Sequence, residues 1–124
     1  MTIRVDVNRR LNGSWTAKLG GRLDTTNYQI AEEKLKPLMH IPLVRVVLDL
    51  SELEYVSSMG LRVIMLLQKA VAANRGKIVL SNLQPPVAKV FEIARALPPE
   101  EIFASIEEAD RYLDLMQRKL ADEV

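Results

Sequence analysis

Alternation begins with the first residues of the chain. Ile3, Val5 and Val7 fall on one side and Arg4 and Asp6 on the other, the period-two pattern of a half-buried strand. After Asn12-Gly13, a strong turn signal, Trp15, Ala17 and Leu19 alternate again. Residues 2–20 therefore read as a β-hairpin, with Gly20-Gly21 closing the second strand. The period then lengthens. Tyr28, Ile30, Ala31, Leu35, Leu38 and Met39 fit a helix over residues 26–39, and Pro37 distorts its last turn. Thr26 and Gln29 match a capping box, and Asp24 and Thr25 are further cap candidates.

Residues 42–50, PLVRVVLDL, form a nearly continuous branched apolar run, the signature of a central strand covered on both faces. A polar loop, Ser51 to Ser57, is expected next, with Leu53, Tyr55 and Val56 packing inward. A helix over residues 58–74 buries Leu61, Ile64, Met65, Leu67, Val71 and Ala72, and Gly76 lies just past it, where helices stop. Ile78, Val79 and Leu80 mark a short buried strand over 77–81. Pro85-Pro86 opens a helix that reaches about residue 96, and Pro98-Pro99 blocks its continuation. Residues 101–104 suit an edge strand. A closing helix follows a second capping box, Ser105 with Glu108, and carries Ile106, Ala109, Leu113, Met116 and Leu120 at spacings of three and four. The expected architecture is α/β, one domain over residues 1–124, with a small mixed sheet of about four or five strands flanked by about four helices.

Charge and composition narrow the function classes. The 124 residues carry a formal net charge of +1 with 27% charged residues, which argues against an electrostatic nucleic-acid or membrane binder. No apolar run approaches a membrane span, and the start lacks a signal-peptide h-region. With no cysteine and a single histidine, thiol chemistry, disulfides and His-rich metal sites are excluded. A cytoplasmic, cofactor-free protein is the expectation.

The chemistry concentrates in Asp49 to Ile64, DLSELEYVSSMGLRVI, where a strand passes through a serine-bearing junction into a helix. Hydroxyls at a helix N-terminus sit where backbone N–H groups lack intrahelical partners. A hydrolase reading needs the GxSxG elbow, absent here, and a base, for which His40 is the sole histidine; its place at a predicted helix end suits the dipole better than catalysis. Glu32-Glu33 and Glu107-Glu108 are helix-surface charges by spacing, and Gly20-Gly21 lacks any nucleotide-loop pattern. The other use of an exposed serine here is as a phosphate acceptor. Phosphate would add about −1.5 to −2 charges where the dipole tolerates an anion. Arg62, four residues past Ser58, is placed to contact it, while Glu52 and Glu54 would make the neighbourhood strongly negative. A plain capping role for Ser57 or Ser58 stands beside that reading.

DLSELEYVSSMGLRVI resembles the signature of STAS domains, in particular the free-standing bacterial anti-sigma factor antagonists. GGRLDTTN and NLQPPVAKVFEIA resemble two further segments of that family, so the likeness spans nearly the whole chain. It implies a mixed sheet flanked by helices and no enzymatic activity. The implied partner is an anti-sigma factor that is also a serine kinase of the histidine-kinase-like ATPase fold. Phosphorylation at the junction ends binding, and a PP2C-type phosphatase restores it. Carried over by position, the family's aspartate becomes Ser57, the phosphoacceptor Ser58 (second choice Ser57), and the next residue Met59 before Gly60. Asp24 matches the aspartate near the kinase contact. The expected partner-binding set is Asp24, Ser57, Ser58, Met59, Gly60, Leu61, Arg62 and Met65, on a docking face running to Gln68. Ser57 removes a negative side chain beside the acceptor and supplies a second hydroxyl. Some relatives are never phosphorylated and act as scaffolds in signalling or transport assemblies, which is the alternative reading.

Overall fold

The computed structural model describes residues 3–96, 115 and 117–119. Its elements are β1 (Ile3–Arg9), β2 (Trp15–Leu23), α1 (Tyr28–Leu35), a 3-10 turn (Lys36–His40), β3 (Arg45–Val56), α2 (Ser58–Ala73), β4 (Lys77–Ser81) and α3 (Pro85–Ala96). Residues 115 and 117–119 are helical. The strands form one sheet in the order β1-β2-β3-β4, with β1 antiparallel to β2 and the other two pairs parallel. The mixed α/β architecture expected from the chain pattern is the one found. The anticipated edge strand at 101–104 and most of the closing helix lie outside the described residues.

The hairpin closes through Asn12 and Gly13, where Gly13 adopts φ 86°. The Asn12 side chain accepts from both the N–H and the hydroxyl of Ser14. Three boundaries differ from expectation. β2 does not stop at Gly20-Gly21 but runs to Leu23, because register shifts around Lys18/Gly20 and Gly21/Arg22 absorb the glycines and pairing with β3 resumes. The helix expected over 26–39 is α1 followed by the 3-10 turn, since Pro37 cannot supply the N–H that a further α-turn needs. The Thr26–Gln29 capping box does not form. Asn27 takes the N-cap position without a side-chain cap bond, and its amide instead ties Asp24 N–H and the Arg22 carbonyl.

The third difference matters most. The expected loop from Ser51 to Ser57 is strand: β3 continues to Val56, with Arg22 paired to Tyr55 and Leu23 to Val56. Leu53, Tyr55 and Val56 pack inward as anticipated.

Ala17, Leu19, Val46, Leu48 and Leu50 line one sheet face, and Leu61, Ile64, Leu67 and Val71 of α2 complete the core against them. On the opposite face Val47 and Asp49 are half-buried and Val79 is 59% exposed, so β3 is not buried on both sides as its apolar run suggests. β4 is likewise half-exposed rather than buried, and among the described residues it is an edge of the sheet.

α2 ends in a Schellman motif. Gly76 N–H donates to the Val71 carbonyl at 2.9 Å and Arg75 N–H to the Ala72 carbonyl at 3.0 Å. The left-handed residue is Arg75, at φ 59°, rather than Gly76. Gly76 serves a different need: a Cβ there would overlap the Val44 carbonyl oxygen.

Candidate functional site

β2 and β3 are parallel, so both deliver their chains at the same end of the sheet, where β2 leads into α1 and β3 into α2. Carboxyl ends of parallel strands are the general location of sites in α/β sheets. Two contacts join the exits. Ser57 N–H donates to the Leu23 carbonyl at 2.9 Å. Gly60 lies so close that a Cβ would stand 2.6 Å from Leu23 Cγ and 2.8 Å from its carbonyl oxygen. Gly60 is thus a packing glycine, and it brings the first turn of α2 beside Asp24.

Asp24 is half-buried, and its carboxylate accepts from Thr26 N–H at 2.9 Å and from the Thr26 hydroxyl at 2.5 Å. Its backbone carbonyl accepts from Tyr28 N–H at 2.9 Å. The carboxylate is therefore oriented by its own turn, at the mouth between α1 and α2.

Ser57 is the N-cap of α2: its Oγ accepts from Gly60 N–H at 3.2 Å. The serines expected to be exposed are not. Ser57 is 2% and Ser58 0% exposed. No described buried side-chain oxygen or nitrogen lacks a hydrogen-bond partner, and Ser58 is engaged accordingly. The strand-to-helix connection is one residue long rather than a loop, which turns both hydroxyls into the interior.

Other members of the anticipated docking set scatter by helical angle. Leu61 and Gly60 are buried, so neither is a surface contact. Met65 is half-buried and looks toward Phe91 and Ala94 of α3. Met59 and Arg62 do meet, in an open groove of about 230 Å³ whose other walls are Leu66 of α2 and Tyr28, Gln29 and Glu32 of α1. Of the expected partner-binding set, Met59 and Arg62 line the groove, and half-buried Asp24 lies in the turn before α1. Leu66 (39% exposed) falls within the expected face, where Met59, Arg62 and Leu66 recur at three and four residues, whereas Gln29 and Glu32 of α1 were missed.

Of the two acids expected near the junction, Glu54 is exposed two residues before the end of β3. Glu52 sits in β3 and is bridged by Lys18 at 3.2 Å and Arg4 at 3.4 Å. Lys18, by hydrogen bond and charge, and then Arg4 hold its carboxyl below the ordinary range. Asp49 is also held low, chiefly by the Ser51 N–H that it accepts at 3.0 Å, then by the Ser51 hydroxyl, with smaller help from Asn82 and Lys18. Arg22 stacks 3.9 Å above the Tyr55 ring.

The serine–histidine alternative fails on distance. Asn74 Nδ2 donates to the Met39 carbonyl at 2.8 Å, which puts exposed His40 at the far end of α2. That helix is 16 residues long, or about 24 Å at 1.5 Å per residue.

Comparison with protein families matches residues 7–109 to the STAS domain. The chain belongs to the STAS domain family. It is 39% identical over 85 residues to a Bordetella bronchiseptica protein described as a putative anti-sigma factor antagonist, BtrV, covering 68% of this chain and 73% of that one. The fold is similar to that of the anti-sigma factor antagonist SpoIIAA in its unphosphorylated form, with TM-score 0.64 and 18% identity over 85% of this chain and 97% of that one. An anti-sigma factor antagonist from Mycobacterium paratuberculosis aligns with TM-score 0.60 and 15% identity over 86% and 95% of the two chains. In this STAS domain the motif spans a strand-to-helix connection, β3 into α2, and its two serines face inward.

Proposed function

We propose that this chain is a cytoplasmic anti-sigma factor antagonist, a non-catalytic module that binds an anti-sigma factor through the Asp24 turn and the groove lined by Met59 and Arg62. The observation that supports it is the junction: Leu23–Asp24 and the first turn of α2 are packed into one surface, in a chain 39% identical to a protein described as a putative antagonist. The partner is an anti-sigma factor that is itself a serine kinase of the histidine-kinase-like ATPase fold. It phosphorylates Ser58, and a PP2C-type phosphatase reverses the step. Phosphate at the first residue of α2 lies at the positive end of the helix dipole. It adds bulk and charge beside the docking surface.

Two measurements test this. Titration calorimetry against the anti-sigma factor encoded with this chain is expected to show binding that Arg62→Glu weakens at least tenfold with an unchanged melting temperature; no binding refutes the antagonist reading. Incubation with that partner and ATP is expected to add one phosphate to wild type and none to Ser58→Ala; equal phosphate on both refutes the Ser58 assignment. A second reading, a constitutive antagonist or scaffold that is never phosphorylated, is favoured by the burial of Ser57 and Ser58, because only Met59 of the three junction residues reaches the surface. Absence of phosphate on wild type in the same experiment, with binding intact, selects it.

A further inference from the structure

β3 outruns β4. Pairing between them ends at Asp49 and Ser81, which leaves residues 50–56 of β3 with no strand beside them on that flank among the described residues. Side-chain amides take the strand's place. Gln84 Nε2 donates to the Ser51 carbonyl at 2.9 Å. Gln117, 2% exposed, makes both bonds a strand residue would make to Val56: its Oε1 accepts from Val56 N–H at 2.9 Å and its Nε2 donates to the Val56 carbonyl at 2.8 Å. Val56 immediately precedes Ser57. On the other flank, Ser57 N–H is held by Leu23. The strand end that carries the two serines is thus gripped from both sides, once by a residue 61 positions away in sequence.

From this geometry we infer that Gln117 is a positioning residue for the β3–α2 junction, and that its two bonds set how often the Ser57–Ser58 hydroxyls reach solvent. Phosphoryl transfer requires Ser58 Oγ to form a bond to the γ-phosphorus of a nucleoside triphosphate. The bond to the leaving diphosphate breaks, and the hydroxyl proton passes to a base of the kinase. A hydroxyl of zero exposure cannot approach that phosphorus until the junction opens. Opening breaks the Gln117 pair or moves it with the strand, so the segment around residue 117 governs the modification without touching either serine. The regulatory meaning rests on the Ser58 reading above; the holding role does not.

The chain has no cysteine, which allows a test without any partner. Ser58→Cys introduces a single thiol of nearly the same size, and its labelling by an aromatic disulfide reagent reports opening of the junction. Gln117→Ala and the volume-conserving Gln117→Met are each added to it. Ala17→Cys, at a core position of 0% exposure, carries the same Gln117 changes as a control for global unfolding. The expected result is labelling at position 58 at least tenfold faster in both Gln117 variants, the change that loss of two ordinary hydrogen bonds produces, and in every background faster than at position 17, which is reached only through global unfolding. Unchanged labelling at position 58, or labelling at position 58 no faster than at position 17, overturns the inference. Faster labelling with no phosphate accepted by wild-type protein supports the clamp and removes the Ser58 reading.

Discussion

Gly60→Ala sets two well-characterised effects against each other with opposite signs. In the interior of a solvated helix the change stabilises by about 1 kcal/mol, because glycine loses more backbone freedom on folding. Here the new Cβ would stand 2.6 Å from Leu23 Cγ and 2.8 Å from the Leu23 carbonyl oxygen, where relaxed contacts lie at about 3.5–4.0 Å. Neither neighbour yields freely. Leu23 is 0% exposed in the core, and its carbonyl holds the Ser57 N–H at 2.9 Å. Overpacking of this kind costs about 1–3 kcal/mol, and prising Ser57 from Leu23 forfeits about 1 kcal/mol more. The clash wins, with a net destabilisation of about 1–3 kcal/mol. Urea unfolding reads it directly as a lower midpoint at unchanged m-value. In a thermal melt each kcal/mol corresponds to about 3–5 °C at this chain length. A Gly60→Ala protein as stable as wild type, or more so, would show that the turn is not docked on Leu23, and the joining of Asp24 to the α2 N-terminus would fall with it.

Ser57→Ala removes the acceptor for Gly60 N–H and is expected to cost about 1 kcal/mol in urea unfolding; a cost below a few tenths would show that the cap is not formed. Arg75→Gly relieves an L-residue held at φ 59° and is expected to raise stability by about 1 kcal/mol, a gain that helix propensity alone does not foresee outside the helix. Asp49 and Glu52 have folded-state pKa values below their ordinary ones. Their stabilisation is therefore complete above about pH 5, begins to fall as the pH passes the unfolded values, and is lost once the pH drops below the lower folded values. Asp49→Asn should flatten the fall in stability below about pH 5 and leave the slope near neutrality unchanged; identical acid limbs for the two proteins would exclude the Ser51–Asp49 contribution.

Period and punctuation carried most of the fold. The β1–β2 alternation, Asn12-Gly13, the apolar face of α2 and Pro85-Pro86 each speak through contacts a few residues apart. What stayed hidden depends on partners distant in sequence. Ser51 to Val56 looks like a loop because Ser51, Glu52 and Glu54 are polar, yet parallel pairing with Arg22 and Leu23 holds it as strand. Gly20-Gly21 looks like a stop because two glycines weaken any strand, yet the bulge lets β2 resume. Gly76 looks like a left-handed cap, whereas Arg75 adopts that conformation and Gly76 clears the Val44 carbonyl.

At the site the same limit acts on faces rather than elements. A motif fixes which residues are consecutive, and in a helix consecutive residues point about 100° apart. Ser58, Met59 and Gly60 therefore cannot share one surface. With Gly60 pressed on Leu23 and Ser58 turned into the core, Met59 is the member left facing the groove, and Arg62 and Leu66 follow it at one-turn intervals. The proposed recognition surface is thus apolar and basic on its α2 side, with Glu32 of α1 across the groove. The hydroxyls lie one layer beneath, under the strand end that Gln117 holds. A phosphate introduced there must displace the first turn of α2 from Leu23 before it can repel anything. On this geometry the modification would end binding first by disturbing the Asp24–Met59 alignment and only second by its charge. Ser58→Asp, which adds charge without the full size of a phosphate, is accordingly a weaker mimic than its charge alone suggests.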